Sequence, residues 1–265
     1  MRYRVLLAIL LWPLAAMAAD TPPAVQLAPD PDLQRPHVTY QTCLKLAREH
    51  PDKGIELAGK WITLGGGEPA KHCQALSLIG LKDYGEGARR LEELATASKQ
   101  EPKVRANMLA QAAQGWLLQG ENGRAYAAQT AALKLLPPNS KESVELYLDR
   151  AGTLADSGKY NEVMDDIKEV LRIDPNNAEA YAYRASIHRL QNELDDALDD
   201  AEAAVAADPN NLSGLLERGN LYRIKKRLAE ARSDWLRILM IAPESATADA
   251  ARINIEHLDV DAGAR

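Results

Sequence analysis

Five histidines, two cysteines and several evenly spaced arginines and aspartates are the residues of this 265-residue chain that could do chemistry. His37, His50, His72, His188 and His257 are scattered, and no serine elbow, phosphate loop, HExxH helix or paired zinc cysteines accompany them. Gly65-Gly66-Gly67 has no Lys-Ser/Thr after it, so it reads as a helix stop and not as a phosphate cradle. Asp195-Asp196 and Asp199-Asp200 lack the ligand spacing and turn glycine of a calcium loop and read as charges on a helix face. His188 reads as a packed core residue. The expectation is a non-enzymatic chain with no catalytic residue, no metal, no cofactor and no small-molecule substrate.

Cys43 and Cys73 form an even pair, which in an oxidising compartment reads as a disulfide. The alternatives are a metal site with His72 or a redox thiol, although His72-Cys73 plus one distant Cys lacks ordinary zinc spacing. The compartment follows from the N-terminus. Arg2 and Arg4 precede an apolar run over residues 5–14, and Ala16-Met17-Ala18 supplies the small residues of a cleavage site. Residues 1–18 therefore read as a cleaved signal peptide. The 15 apolar residues of 5–19 fall short of the ~20 that a spanning helix needs. Residues 19–38, with Pro22, Pro23, Pro29, Pro31 and Pro36, read as an extended, disordered linker. Export to a bacterial periplasm is the expected destination.

Composition narrows the class further. The chain is 46% hydrophobic and 26% charged, with 5% aromatic residues and no Phe, and its net charge is −6. Loss of Arg2 and Arg4 with the signal leaves 30 basic against 38 acidic residues, a charge of −8. Such values exclude a multi-span membrane protein, a disulfide-dense mini-domain and a basic nucleic-acid binder, which needs a cationic surplus to neutralise phosphates.

The elements that must position these residues repeat. Pro175-Asn176-Asn177 recurs 34 residues later as Pro209-Asn210-Asn211, and Pro243 continues the proline series. Arg150, Arg184, Arg218 and Arg252 keep the same step, as do Asp166, Asp200 and Asp234. Within a unit, Leu194, Ala197, Leu198, Ala201 and Val205 recur at helical spacing. Polar turns such as Gln191-Asn192-Glu193 and Ser157-Gly158-Lys159 split each unit into two helices. Asn177 and Asn211 are placed to cap the next one.

These features resemble the tetratricopeptide repeat. The small residue at position 8 is Ala151, Ala185 and Gly219; position 20 holds Val163, Ala197 and Ala231; position 32 holds Pro175, Pro209 and Pro243. An earlier unit matches through Ala113, Trp116, Gly120, Ala125, Ala132 and Pro137, with residues 140–143 inserted after it. Asn192 and Lys226 depart from the turn glycine, and His188 from the usual aromatic. The resemblance implies an all-α, right-handed superhelical α-solenoid of stacked helix-turn-helix units, with repeats at 106–139, 144–177, 178–211 and 212–245. Degenerate helical repeats would precede it over 39–101, for six helix pairs in all. A capping helix over 246–259, required to close such a stack, and a frayed tail over 260–265 would follow.

The same resemblance places positions 7 and 23 on facing helices. It implies structural ion pairs Arg150–Asp166, Arg184–Asp200 and Arg218–Asp234, where a planar guanidinium can meet a carboxylate bidentately. It puts Cys43 and Cys73 on corresponding helices of neighbouring pairs. It also implies a concave groove lined by Leu148, Glu179, Ser186, Arg189, Leu216, Asn220, Arg223, Ile224 and Asn254. An extended protein or peptide segment could bind there through Asn amides, arginines and apolar side chains. The expected role is a protein-binding scaffold, in keeping with repeat proteins that organise bacterial envelope assembly. The alternative is a self-associating structural protein. The cluster Arg223 to Arg227 is a basic patch in an acidic chain and reads as solvated surface.

Overall fold

A computed structural model describes residues 40–263. The expected signal peptide, the proline-rich linker and His37 lie outside the described residues, as do residues 264–265 of the expected tail. Thirteen α-helices and no strand are found among the described residues. The chain divides into two compact units, with the boundary between Lys159 and Tyr160.

The first unit holds α1 (Tyr40–Glu49), α2 (Pro51–Thr63), α3 (Gly67–Gly80), α4 (Tyr84–Ala97), α5 (Pro102–Gln119), α6 (Asn122–Leu133) and α7 (Lys141–Asp156). Each helix packs on its successor, and α1 also packs on α3. Pro51 and Pro102 open α2 and α5, where a missing N–H costs nothing and the fixed φ suits the first turn. The triple glycine has a second role that the sequence reading did not assign. Gly66 is the N-cap of α3 and Gly67 its first residue, so the run ends one helix and starts the next. The four residues expected as an insert, 140–143, lie at the start of α7. Ser140 caps α7 through Ser143 N–H, and the remaining three begin the helix, which reaches 16 residues. The serine cap satisfies an orphan amide of the first turn and favours helix for this stretch.

Close helix approach explains the alanine-rich composition. Ala75, Ala88, Ala112, Ala113, Ala125 and Ala128 surround Leu91 and Trp116 in the core of this unit. Small side chains let the backbones come together, while the Trp supplies the large apolar area.

The second unit holds α8 (Tyr160–Ile173), α9 (Ala178–Leu190), α10 (Leu194–Ala207), α11 (Leu212–Ile224), α12 (Leu228–Ile241) and α13 (Ala246–Gly263). Helices α9 and α10, and α11 and α12, form hairpins, and α11 also packs against α9 and α13. Asn192 and Lys226 hold the left-handed backbone of the two hairpin turns, each at φ 64°. That conformation is strained for a residue with Cβ, and Asn tolerates it better than Lys. Asn177 Oδ1 accepts Ala180 N–H at 2.9 Å, and Asn211 Oδ1 accepts Gly214 N–H at 2.6 Å, capping α9 and α11. Gly219 lies against the indole of Trp235, where a Cβ would sit 2.5 Å from Nε1, so no larger residue fits. Val205, Leu215, Tyr222, Ala231, Trp235, Ile238, Ala248 and Ala251 complete this core. Helix α13 continues to Gly263, past the expected end at 259. Arg232 of α12 bonds both oxygens of Asp259, which anchors its last described turns.

Candidate interaction groove

Two of the expected ion pairs lie within the second unit, and both are bidentate. Arg184 Nε and Nη2 donate to Asp200 at 2.7 and 2.6 Å, and Arg218 makes the same contacts with Asp234 at 2.8 and 2.7 Å. Both aspartates are buried. The bonds to Asp200 and Asp234 raise the two guanidinium pKa values above the ordinary arginine range. Arg184 also lies 5.5 Å from the Tyr181 ring centre, and Arg218 5.7 Å from that of Tyr222. Arg150 and Asp166 belong to different units. Within the first unit, Arg150 donates to Thr130 Oγ1 at 3.0 Å and lies 5.5 Å from the rings of Tyr126 and Tyr147.

The first helices of the two hairpins, α9 and α11, together with the final helix α13, carry eight of the nine expected groove residues. Leu148, half-buried on α7, is in the other unit. Several of the eight are engaged with one another's helices. Glu179, in the first turn of α9, accepts from Asn211 Nδ2 and Ser213 Oγ, both at 2.9 Å. Asn254 Nδ2 donates to Asn220 Oδ1 at 3.0 Å, linking equivalent positions of α11 and α13. Arg189 is not an open cation: its Nε and Nη2 donate to Glu217 at 2.6 and 3.1 Å. Burial works most strongly against the charge of Arg189, and the bond to Glu217 together with its negative charge outweighs it, raising the pKa. Ser186 is buried and Leu216 packs against the core, so neither offers much open surface.

What stays open is at the end of this face. Arg223 is exposed and has no carboxylate partner among the described residues, and Ile224 beside it is 40% exposed. Glu217 is the functional neighbour that the sequence reading missed. Its signal was available: it follows Arg189 by 28 residues, six positions short of a full repeat, where a side chain of the next first helix comes alongside. Arg223 has Ala251 at that spacing, which is why its charge is unmatched.

The basic cluster is more self-contained than its sequence suggested. Lys225 bonds Asp195, while Arg227 bonds Glu230 at 3.0 Å and stacks 4.1 Å from the Tyr222 ring centre. In the first unit, Cys43 of α1 and Cys73 of α3 form a disulfide. His72 beside it is buried, accepting from the Tyr40 hydroxyl through Nδ1 and donating from Nε2 to Gln111 Oε1 at 2.6 Å. Burial foremost lowers the pKa of His72, and burial pushes the Tyr40 hydroxyl up to about 12, so both are neutral. No helix among the described residues is long and apolar enough to cross a membrane.

No protein-family model matches this sequence. A comparison with curated proteins finds no match either. The structure is similar to solved structures. One is MamA 41-end from Desulfovibrio magneticus RS-1, with a TM-score of 0.52 at 18% identity over 66% of this chain and 94% of that one. A MamA RS-1 ArsTM double mutant aligns with a TM-score of 0.53 at 17% identity, over 66% of this chain and 93% of that one. The APC/C hetero-tetramer Cut9–Hcn1 aligns with a TM-score of 0.56 at 11% identity over 85% of this chain and 44% of that one. These neighbours are tetratricopeptide-repeat structures, and the fold of this chain is theirs.

Proposed function

We propose that this chain is a non-enzymatic scaffold of the bacterial periplasm, which binds an extended segment of a partner protein on the face built by α9, α11 and α13 and serves envelope assembly. The observation that carries this reading is the unmatched Arg223 next to exposed Ile224. The other polar groups of that face are tied across helices, which fixes its shape before a partner arrives. The free guanidinium can take a carboxylate of the partner, Ile224 can cover an apolar side chain, and the unused donor and acceptor of Asn220 and Asn254 can meet backbone groups. The disulfide supports export, since such bonds persist in oxidising compartments.

The test compares the native protein with Arg223→Glu and Ile224→Asp variants in capture from periplasmic extract. Lys168→Glu on exposed surface of the same unit serves as the control. Partners retained by the native protein and the control but lost by both variants support the groove. Equal retention by all four proteins removes it.

Self-association is a second reading, and one observation favours it. Leu236 and Met240 on α12 are 43% and 76% exposed, where the equivalent positions of α8 and α10 hold Lys168, Arg172, Glu202 and Ala206. Under this reading the mass in solution falls on dilution and a Met240→Glu variant stays monomeric.

A further inference from the structure

The hairpin turn between α9 and α10 differs from its counterparts in a way that points to a missing cation. In two other repeats the turn is closed by a guanidinium over an aromatic ring. Arg124 lies 4.5 Å from the ring centre of Trp116, and Arg227 lies 4.1 Å from that of Tyr222. Stacking of this kind neutralises nothing but gives the cation a favourable seat on the negative ring face. The repeat register places His188 at the position of Trp116 and Tyr222, Glu193 at that of Arg227, and Asp196 at that of Arg124. The ring has become an imidazole, and each of the two cations has become a carboxylate. The His188 nitrogen and the oxygens of Glu193 and Asp196 all lie within 4.8 Å of one another.

A second carboxylate lies on the other side of the ring. His188 Nε2 faces Asp200 Oδ2 at 3.8 Å, and that carboxylate is itself held by Arg184 in the bidentate pair. Nδ1 points the opposite way and shares a proton with Glu193 Oε2 at 2.6 Å. At 3.8 Å the Asp200 carboxylate is beyond hydrogen-bond reach of Nε2 and acts on the ring as a nearby negative charge, while the two candidate carboxylate ligands gather at the opposite side. His188 is mostly enclosed, its side chain 17% exposed, whereas Glu193 is open at 50% and free to adjust. Ligand atoms around a zinc ion stand about 3.3 Å apart for bonds of ~2.0–2.1 Å, so a small closure of the two carboxylates suffices.

We propose that His188 Nδ1, Glu193 and Asp196 bind a first-row divalent transition ion. An imidazole with two carboxylates suits Zn²⁺ better than Ca²⁺ or Mg²⁺, which take all-oxygen shells. Water completes the coordination. As the metal–nitrogen bond forms, Nδ1 gives its lone pair to the ion and the proton of the neutral imidazole sits on Nε2; from the doubly protonated ring, the Nδ1 proton leaves to solvent. This departs from the sequence expectation of no metal and is independent of the groove, because none of the three ligands belongs to it.

Zinc chloride titrated into the full mature chain, with binding heat and imidazole ¹⁵N resonances followed together, tests the site. The expected result is one equivalent of zinc bound with the His188 resonances moving first. His188→Phe restores the aromatic ring of the neighbouring repeats and so keeps the fold. It should weaken binding at least tenfold, as should Glu193→Gln combined with Asp196→Asn, with the helical circular dichroism unchanged. Binding that is undiminished in His188→Phe, shifts confined to the other histidines, or no response at millimolar zinc would each overturn the proposal.

Discussion

Arg189 and Glu217 meet fork to fork across α9 and α11, with side-chain exposures of 21% and 12%. Each neutralises the other on a face where an open cation was expected. Removing the acid alone strands a half-buried guanidinium, which costs more than the pair ever contributes. Glu217→Ala should therefore lower stability by about 1–3 kcal/mol, less than the full cost of a completely desolvated pair. Arg189→Met with Glu217→Leu should recover most of that loss. Urea titrations of the three variants check it; equal losses in single and double variants would show that packing, not charge, governs the site.

Asp149 on α7 offers the opposite case, a half-buried carboxyl with no cation set against it among the described residues. Burial foremost, then the charge of Glu145, pushes its pKa up from 3.8 to about 6. A raised carboxylate pKa means that the native state holds a proton the unfolded chain has lost between these two values. Stability from this group therefore rises as pH falls through about 6 toward 3.8 and is absent at neutral pH. Asp149→Asn should stabilise by roughly 2 kcal/mol at pH 7, with the gain vanishing near pH 4. Denaturant midpoints of both proteins at the two pH values give the answer, and a loss at pH 7 would count against it.

The fold was legible because its period is short and its signals are redundant. Proline, capping asparagine, small residue and ion pair each recur at 34 residues in the C-terminal repeats, so an error in one series leaves the others standing. Asn177 and Asn211 cap as their positions demanded, and Arg184 and Arg218 find the aspartates of their own hairpins. The groove was less legible. Repeat position tells which side chains share a face, but the pairing of Arg189 with Glu217 crosses between repeats and depends on helix offset. Ser186 has a groove position yet is buried, because burial is decided by the neighbouring helix and not by the residue's own period. The metal-like cluster was hidden for a similar reason: His188, Glu193 and Asp196 are brought together by the hairpin turn, and none has ordinary ligand spacing.

Gln129 on α6 is fully enclosed, and neither its amide nitrogen nor its oxygen has a partner among the described residues. An unsatisfied buried amide loses its water and gains nothing in exchange. Gln129→Met keeps the length of the side chain and removes the polar atoms. It should raise stability by about 1–3 kcal/mol, seen as a higher thermal midpoint. A lowered midpoint would mean that the amide is satisfied in solution.

The disulfide ties α1 to α3 across a sequence separation of 30 residues. In the chain-entropy view such a loop restricts the unfolded state by about 3–4 kcal/mol. The Cys43→Ala/Cys73→Ala variant should lose about that much stability in the first unit while leaving a separate unfolding transition of the second unit unmoved. Urea unfolding followed at Trp61 for the first unit and Trp235 for the second separates the two. A shift of both transitions by the same amount would argue against a local brace.

Beside that brace, His72 gives the first unit a pH response of its own. Its pKa is lowered from 6.5, by burial above all, while the bond to Gln111 works the other way. A depressed histidine pKa means that the unfolded chain takes up a proton which the native state refuses. Stability therefore falls as pH drops below about 6.5 and stops falling once the native pKa is reached. The slope of one proton per pH unit caps that loss at about 1.4 kcal/mol by pH 5.5. Asp149 pulls the other way in part of the same window, so the native protein alone blurs the two. Comparing the stability of His72→Gln with that of the native protein at pH 7.5, 6.5 and 5.5 isolates the histidine. The difference between the two should shift in favour of the variant over that range, by no more than about 1.4 kcal/mol. A constant difference would mean that His72 accepts its proton without leaving the Tyr40–Gln111 bridge.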